Sequence, residues 1–253
     1  MKTLVTMGRG GTGKTSFTAL MAKYFIGSGQ SPLLLVDLDP DQNLAEMVGV
    51  DLEREGVKTI ADLLAATFIE QGGTTAGIAP SERIENTIWE EGLYEGAHFD
   101  LIAVGTKWIE GCYCLPDAAL KNALGTISRN YHYVLIDSPA GLEHLNRRVT
   151  ARVDDIFDII GPSSKSFAHV RRADRVIREA GISAGHFYVV GGYLFPGNEN
   201  VRAADTLLHT YLGNIACDPL LQRFVFDGRS LLDLPDDSPA VQSVRAILHN
   251  AGY

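Results

Sequence analysis

Apolar residues gather along this chain in short continuous runs separated by longer stretches of helical spacing. Lys2–Met7, Pro32–Asp37, Phe99–Gly105, His132–Asp137, Asp155–Gly161 and His186–Gly192 have strand length and composition, with a further short strand at Asn214–Cys217. Thr15–Ile26, Leu115–Ser128, Lys165–Ala180, Asn200–Leu212 and Pro239–Asn250 have helical character. The strands do not alternate between apolar and polar residues. A strand that is apolar at successive positions is buried on both faces, as in a parallel sheet covered by helices on each side. The pattern therefore predicts an α/β fold: a mostly parallel twisted sheet flanked by helices, in a single domain over residues 1–253. Leu52–His98, with its Gly, Thr and acidic residues, is expected to form two helices and a hairpin lying over the site.

Composition adds bounds. Apolar residues make up 45% and charged residues 21% of the chain, as in an ordinary globular protein. The longest apolar runs fall short of the roughly 18 residues that a membrane-spanning helix needs. The segment MKTLVTM runs straight into a glycine-rich loop and is too short for a signal peptide, so a cytoplasmic location is expected. A net charge of −9 weighs against nucleic acid or an anionic membrane as partner. Arg171, Arg172, Arg175 and Arg178 are spaced as the solvated face of a helix. The three cysteines are too few and odd in number for a disulfide framework.

The glycine-rich loop changes the picture most. Gly8-Arg9-Gly10-Gly11-Thr12-Gly13-Lys14-Thr15-Ser16 fits the phosphate-loop pattern G-x-x-x-x-G-K-[ST], with a predicted strand before it and a helix after it. Glycines let backbone N–H groups wrap a phosphate chain at the start of a helix. In this pattern Lys14 reaches the β- and γ-phosphates and the Thr15 hydroxyl coordinates Mg²⁺. A second strand, Tyr133–Asp137, ends in a carboxylate that can hold Mg²⁺ through water. The turn after it, Ser138 to Gly141, suits a switch that senses the γ-phosphate, and Gly141 is assigned to the nucleotide. Asp37-Leu38-Asp39-Pro40-Asp41-Gln42-Asn43 supplies the third piece. Asp39 is placed to orient or deprotonate the attacking water, with capping of the next helix as its competing role. Asn43 is assigned to the nucleotide.

These residues resemble the deviant-Walker-A ATPases, the superfamily of MinD, ParA, ArsA and the nitrogenase iron protein. The likeness rests on the loop, on Asp39-Pro40 and on Asp137-Ser-Pro-Ala-Gly141, and it extends over nearly the whole chain. It implies ATP and Mg²⁺ as ligands, ATP hydrolysis, and a homodimer stabilised by two ATP molecules. The superfamily's signature lysine, which reaches the partner's nucleotide, is replaced here by Arg9. A guanidinium can bridge phosphate oxygens too. An intrachain ion pair is the competing role for Arg9. The superfamily contacts adenine near the Gly192 strand end and in the loop after Asp218-Pro219. Val190-Gly-Gly-Tyr193 lacks the Asn common at the first place, which leaves backbone groups near Pro219.

Within the superfamily, Glu110-Gly-Cys112-Tyr-Cys114-Leu-Pro116 and Ala140-Gly-Leu-Glu-His-Leu145 resemble the CooC branch of nickel-insertion ATPases. That branch serves carbon monoxide dehydrogenase, and the similar AcsF proteins serve acetyl-CoA synthase. The resemblance implies a homodimer that holds Ni²⁺ or Zn²⁺ at Cys112 and Cys114 and has a nickel enzyme as client. One chain supplies two thiolates, a closed tetrahedral site wants four, and a two-fold axis doubles the set. Core packing, a redox dithiol and an iron–sulfur cluster remain open for the pair. A partitioning or positioning ATPase without metal is the rival function. Cys217, late in an apolar segment, is expected in the core.

Overall fold

The structure is a computed structural model, and it describes residues 1–66, 80–106, 114–140, 152–195 and 209–253, without the side chains of 80–84, 114–120 and 152. β1 (Lys2–Gly8) runs into the glycine loop and α1 (Lys14–Gly27) leaves it. Then come β2 (Leu33–Asp37) and three short helices, α2 (Asn43–Met47), α3 (Leu52–Glu55) and α4 (Ile60–Ala65). Next are α5 (Pro80–Glu91), β3 (Tyr94–Glu95), β4 (Phe99–Ala103), α6 (Cys114–Ile127) and β5 (Tyr133–Asp137). β6 (Arg152–Ile160), α7 (Ser164–Glu179), β7 (Ser183–Gly191) and β8 (Thr210–Asn214) follow. α8 (Pro219–Phe226) and α9 (Pro239–Asn250) complete the described elements.

One eight-stranded sheet carries the order β3-β4-β2-β5-β1-β6-β7-β8. Every pairing is parallel except β3 with β4. Successive strand residues point to opposite faces, and both faces are covered. Leu33, Leu35, Leu135 and Phe157 pack with Phe17 and Met21 of α1 and Val244 and Leu248 of α9. Leu34, Val36, Val134 and Ile136 pack on the other side with Leu63 of α4, Ile88 of α5, Ile127 of α6 and Ile177 of α7. The expected α/β architecture is therefore the observed one, and its reason is the one read from the runs: the central strands are buried on both faces.

Three expectations are corrected at the β8 edge. A helix was expected over 200–212, but 210–212 belong to strand β8; residues 200–208 lie outside the described set. Thr210-Tyr211-Leu212 is a short apolar run whose period cannot separate helix from strand, and pairing with β7 decides it. The strand expected at Asn214–Cys217 ends at Asn214, after which the Ile215 N–H donates to the Gly191 carbonyl at 2.8 Å. Cys217 is exposed rather than in the core, because the chain has already left the sheet. The segment 52–98 holds three described helices, not two, and of the expected hairpin its described residues hold one strand, β3, which pairs with β4 beyond it. The four arginines of α7 are exposed, as expected of a solvated face.

Candidate nucleotide site

β1 delivers the loop to the carboxyl end of the sheet, between β5 and β6. Ligands of open α/β sheets bind at this end. Gly8 has φ 140°, and a Cβ there would lie 2.3 Å from the Ile159 carbonyl oxygen of β6, so only glycine lets the loop start here. The Thr12 hydroxyl donates to the Arg9 carbonyl at 2.8 Å, and the Lys14 ammonium to the same carbonyl at 3.4 Å. Lys14 is buried, Arg9 and Gly10 are exposed, and among the described residues Arg9 makes no ion pair. The other side of the loop rests on the end of β7. A Cβ at Gly192 would lie 2.4 Å from the Thr12 carbonyl oxygen, so Gly192 makes room for the loop. The Tyr193 hydroxyl reaches the Gly11 carbonyl at 3.4 Å.

Asp137, at the end of β5, meets α1 here. The Thr15 hydroxyl donates to its Oδ2 at 2.7 Å and the Thr18 hydroxyl to its Oδ1 at 3.2 Å. Burial pushes Asp137 up to about 6, against the pull of the Thr15 hydrogen bond and the Lys14 charge. The sequence reading passed over its neighbour, Asp37. The two carboxylates pair in register across β2 and β5. Asp37 accepts from Asp39 N–H at 3.0 Å and Leu44 N–H at 2.9 Å. Burial, then the Asp137 charge, pushes Asp37 up to about 7. The available signal was an Asp at a strand end two residues before the acidic turn. Buried carboxylates crowded beside a threonine hydroxyl are a hard-oxygen donor set short of positive charge. The residues thus fit Mg²⁺, with Thr15 and Asp137 as its nearest holders, and the loop fits a phosphate chain.

Asp39 is half-buried, and its Oδ1 accepts from Asp41 N–H at 3.1 Å. The capping of α2 falls to Asp37 rather than Asp39, through Leu44 N–H. Asn43 opens α2 on the exposed side, Ser16 faces Met47 with its hydroxyl 3.8 Å from the sulfur, and Thr106 donates to the Pro40 carbonyl at 3.1 Å. Pro219 is the exposed first residue of α8. On β8, Asn214 pairs in register with Gly191, which brings an amide side chain to the strand end where β7 lacks one. Cys112 and Gly141 lie outside the described residues, and Cys114 is described only as the first residue of α6. Among the described residues no cluster of three or more His, Cys, Asp or Glu side chains is grouped to hold a metal. Among them, too, no helix is long and apolar enough to cross a membrane.

A model of the AAA domain family matches residues 2–170. An uncharacterised ATP-binding protein of Methanocaldococcus jannaschii is 29% identical over 96% of both chains. The carbon monoxide dehydrogenase accessory protein CooC of Rhodospirillum rubrum is 30% identical over 72% of this chain and 71% of its own. Among solved structures, the septum site-determining protein MinD of Pyrococcus horikoshii, in complex with Mg-ADP, superposes with a TM-score of 0.68 at 19% identity. That match covers 99% of this chain and 95% of that one. The chain therefore belongs to the AAA domain family, is an ATPase, and has the fold of the P-loop protein MinD.

Proposed function

We propose that this ATPase is a homodimeric metal-delivery switch. It takes a divalent metal, nickel in the first instance, at Cys112 and Cys114 of both chains and hands it to a nickel enzyme such as carbon monoxide dehydrogenase. The observation that supports this reading is the place of Cys114 in the connection between β4 and β5. Cys114 opens α6, and α6 leads through a short turn to β5 and its terminal Asp137. The likeness to CooC supports the same client. Two chains bring four thiolates, enough for a tetrahedral or square-planar cargo site. ATP drives delivery only if its bound and hydrolysed states differ in metal affinity.

In this reading Lys14 holds the β- and γ-phosphates, and Thr15 and Asp137 orient Mg²⁺. Gly8, Gly10, Gly11, Thr12, Gly13 and Ser16 line the phosphate chain. Arg9, exposed at the loop, reaches the partner's nucleotide. Asp39 orients the attacking water. Bound Mg²⁺ neutralises phosphate charge. Asp39→Ala is expected to bind MgATP with an affinity close to wild type while turnover falls by about 100-fold or more. A phosphate-release assay alongside nucleotide titration checks this, and normal turnover would remove Asp39 from the role.

Titration of Ni²⁺ into the wild type and the Cys112→Ala/Cys114→Ala double variant tests the cargo. One metal per dimer is expected in the wild type and none in the variant; equal stoichiometry refutes the metal site. AcsF-like service to acetyl-CoA synthase is the same chemistry with another client. One observation favours a partitioning function instead: α7 presents Arg171, Arg172 and Arg175 as an exposed basic row that DNA phosphates could meet. A membrane-positioning variant has less support, because the apolar face of α9, with Val241, Val244, Ile247 and Leu248, is committed to the core.

A further inference from the structure

Asp37 is a buried carboxylate beside the nucleotide site that takes no part in holding phosphate, Mg²⁺ or water in the proposed cycle. It ends β2, and its side chain is fully buried. Both of its oxygens are occupied by backbone donors. Oδ1 accepts from Asp39 N–H at 3.0 Å and Oδ2 from Leu44 N–H at 2.9 Å. The two donors stand at opposite ends of the loop 38–43, so one carboxylate closes that loop on itself. The main chain beneath the loop is held as well. Val104 N–H donates to the Asp37 carbonyl at 2.8 Å, and Leu38 N–H donates to the Asp137 carbonyl at 2.9 Å. Asp37 is therefore a fixed point of the sheet from which the loop is suspended.

Inside the loop the turn is tight. Gln42 N–H donates to the Asp39 carbonyl at 3.1 Å, and Asp41 N–H donates to Asp39 Oδ1 at 3.1 Å. Gln42 has φ 55°, and among the described residues no other non-glycine residue has a positive φ. Such a conformation persists only where the surrounding contacts impose it. On the outer side the loop is held by Thr106, whose hydroxyl bond to the Pro40 carbonyl is exposed to solvent. The Leu44 bond to Asp37 is fully buried. Hydrogen bonds to an ionised acceptor are also the stronger kind. The carboxylate clamp is thus the firmest tie that the loop has.

We propose that Asp37 is a positioning residue for ATP hydrolysis: it clamps both ends of the loop 38–43 and so fixes the backbone from which Asp39 presents its carboxylate to the attacking water. The inference rests on the water-orienting role proposed for Asp39. The atom that Asp37 holds is the N–H of Asp39 itself, so a swing of the loop about Leu38 would carry the Asp39 side chain with it. A clamp of this kind needs two acceptor oxygens. An Asn at the same place offers one acceptor and one donor, so it can hold one end of the loop but not both.

The test is ATP turnover and MgATP binding by the full chain as wild type, Asp37→Asn, Asp39→Ala and the double variant, with thermal melts to confirm folding. Asp37→Asn is expected to bind MgATP within about threefold of wild type while kcat falls by about 10- to 100-fold. The double variant is expected to turn over no more slowly than Asp39→Ala, because a residue that acts through Asp39 has nothing left to position. Losses that multiply in the double variant overturn the proposal, since they are what a merely structural role would give. So does normal turnover by Asp37→Asn while Asp39→Ala is impaired. Normal turnover by Asp39→Ala overturns the role of Asp39 instead, and the inference falls with it. If Asp37→Asn does not fold, amide hydrogen exchange of the wild type with MgADP decides: the Asp39 amide is expected to be protected, and exchange at the rate of an open loop overturns the clamp.

Discussion

Lys14→Ala is expected to bind MgADP and MgATP about 100-fold more weakly than wild type and to lose ATP turnover. The estimate comes from charge-assisted hydrogen bonds to phosphate, worth about 3 kcal/mol, at roughly 1.4 kcal/mol per tenfold of affinity. A second effect adds to it. Lys14 is buried, and its charge acts on both Asp137 and Asp158. Loss of the ammonium removes a charge that lowers both carboxylates, so their neutral forms are favoured. Lys14→Ala therefore alters the charge state of the empty loop as well as its grip on phosphate. Isothermal titration with MgADP checks the first effect, and a melting curve across pH checks that the variant folds. Binding within threefold of wild type would mean that the loop holds phosphate by its backbone alone.

Asp218→Ala is expected to cause a large loss of stability for a single polar side chain. Asp218 is buried between two helix starts. It accepts from Leu220 N–H at 2.9 Å and Leu221 N–H at 3.4 Å at the head of α8. It also accepts from the Ser238 hydroxyl and, at 3.2 Å, from Ala240 N–H at the head of α9. One carboxylate thus caps two helices. A cap contributes about 1–2 kcal/mol, so the loss should be about 3 kcal/mol. For a domain of this size that lowers Tm by roughly 6–12 °C.

Burial by itself works to raise this carboxyl, but the Ser238, Ala240, Leu220 and Leu221 hydrogen bonds outweigh it and hold it below the usual carboxylate range. The folded state therefore favours the ionised form. Its contribution is present above the unfolded value of about 3.9 and is lost as pH falls through the lower folded value. The difference between wild type and Asp218→Ala should narrow in acid, and Asp218→Asn, which keeps an acceptor oxygen, should lose less. Thermal unfolding of the three proteins at neutral pH and in acid measures both effects.

Much of the fold and site was legible from local pattern. Phosphate binding needs backbone amides, a lysine and a hydroxyl within a few consecutive residues, so Gly8–Thr15 could be recognised without any tertiary information. Strands buried on both faces announce themselves as continuous apolar runs, and α9 begins where Ser238-Pro239 says a helix can begin. Less was legible where one short run had to be read alone. Thr210-Tyr211-Leu212 became strand because β7 offered it an edge, and Cys217 became exposed because the sheet ends before it.

The sequence by itself determined the fold class, the phosphate loop and the carboxylate at the end of β5, because each is encoded in contiguous residues whose chemistry requires that order. The tertiary structure alone decided which buried charges meet. Asp37 faces Asp137 because β2 lies beside β5, and Asp158 stands beside Met7 because β6 lies beside β1. Asp218 reaches α9 across 22 residues of chain to Ala240. Parallel strands pair only through long crossovers, so their register, and with it the meeting of these side chains, depends on packing over the whole sheet.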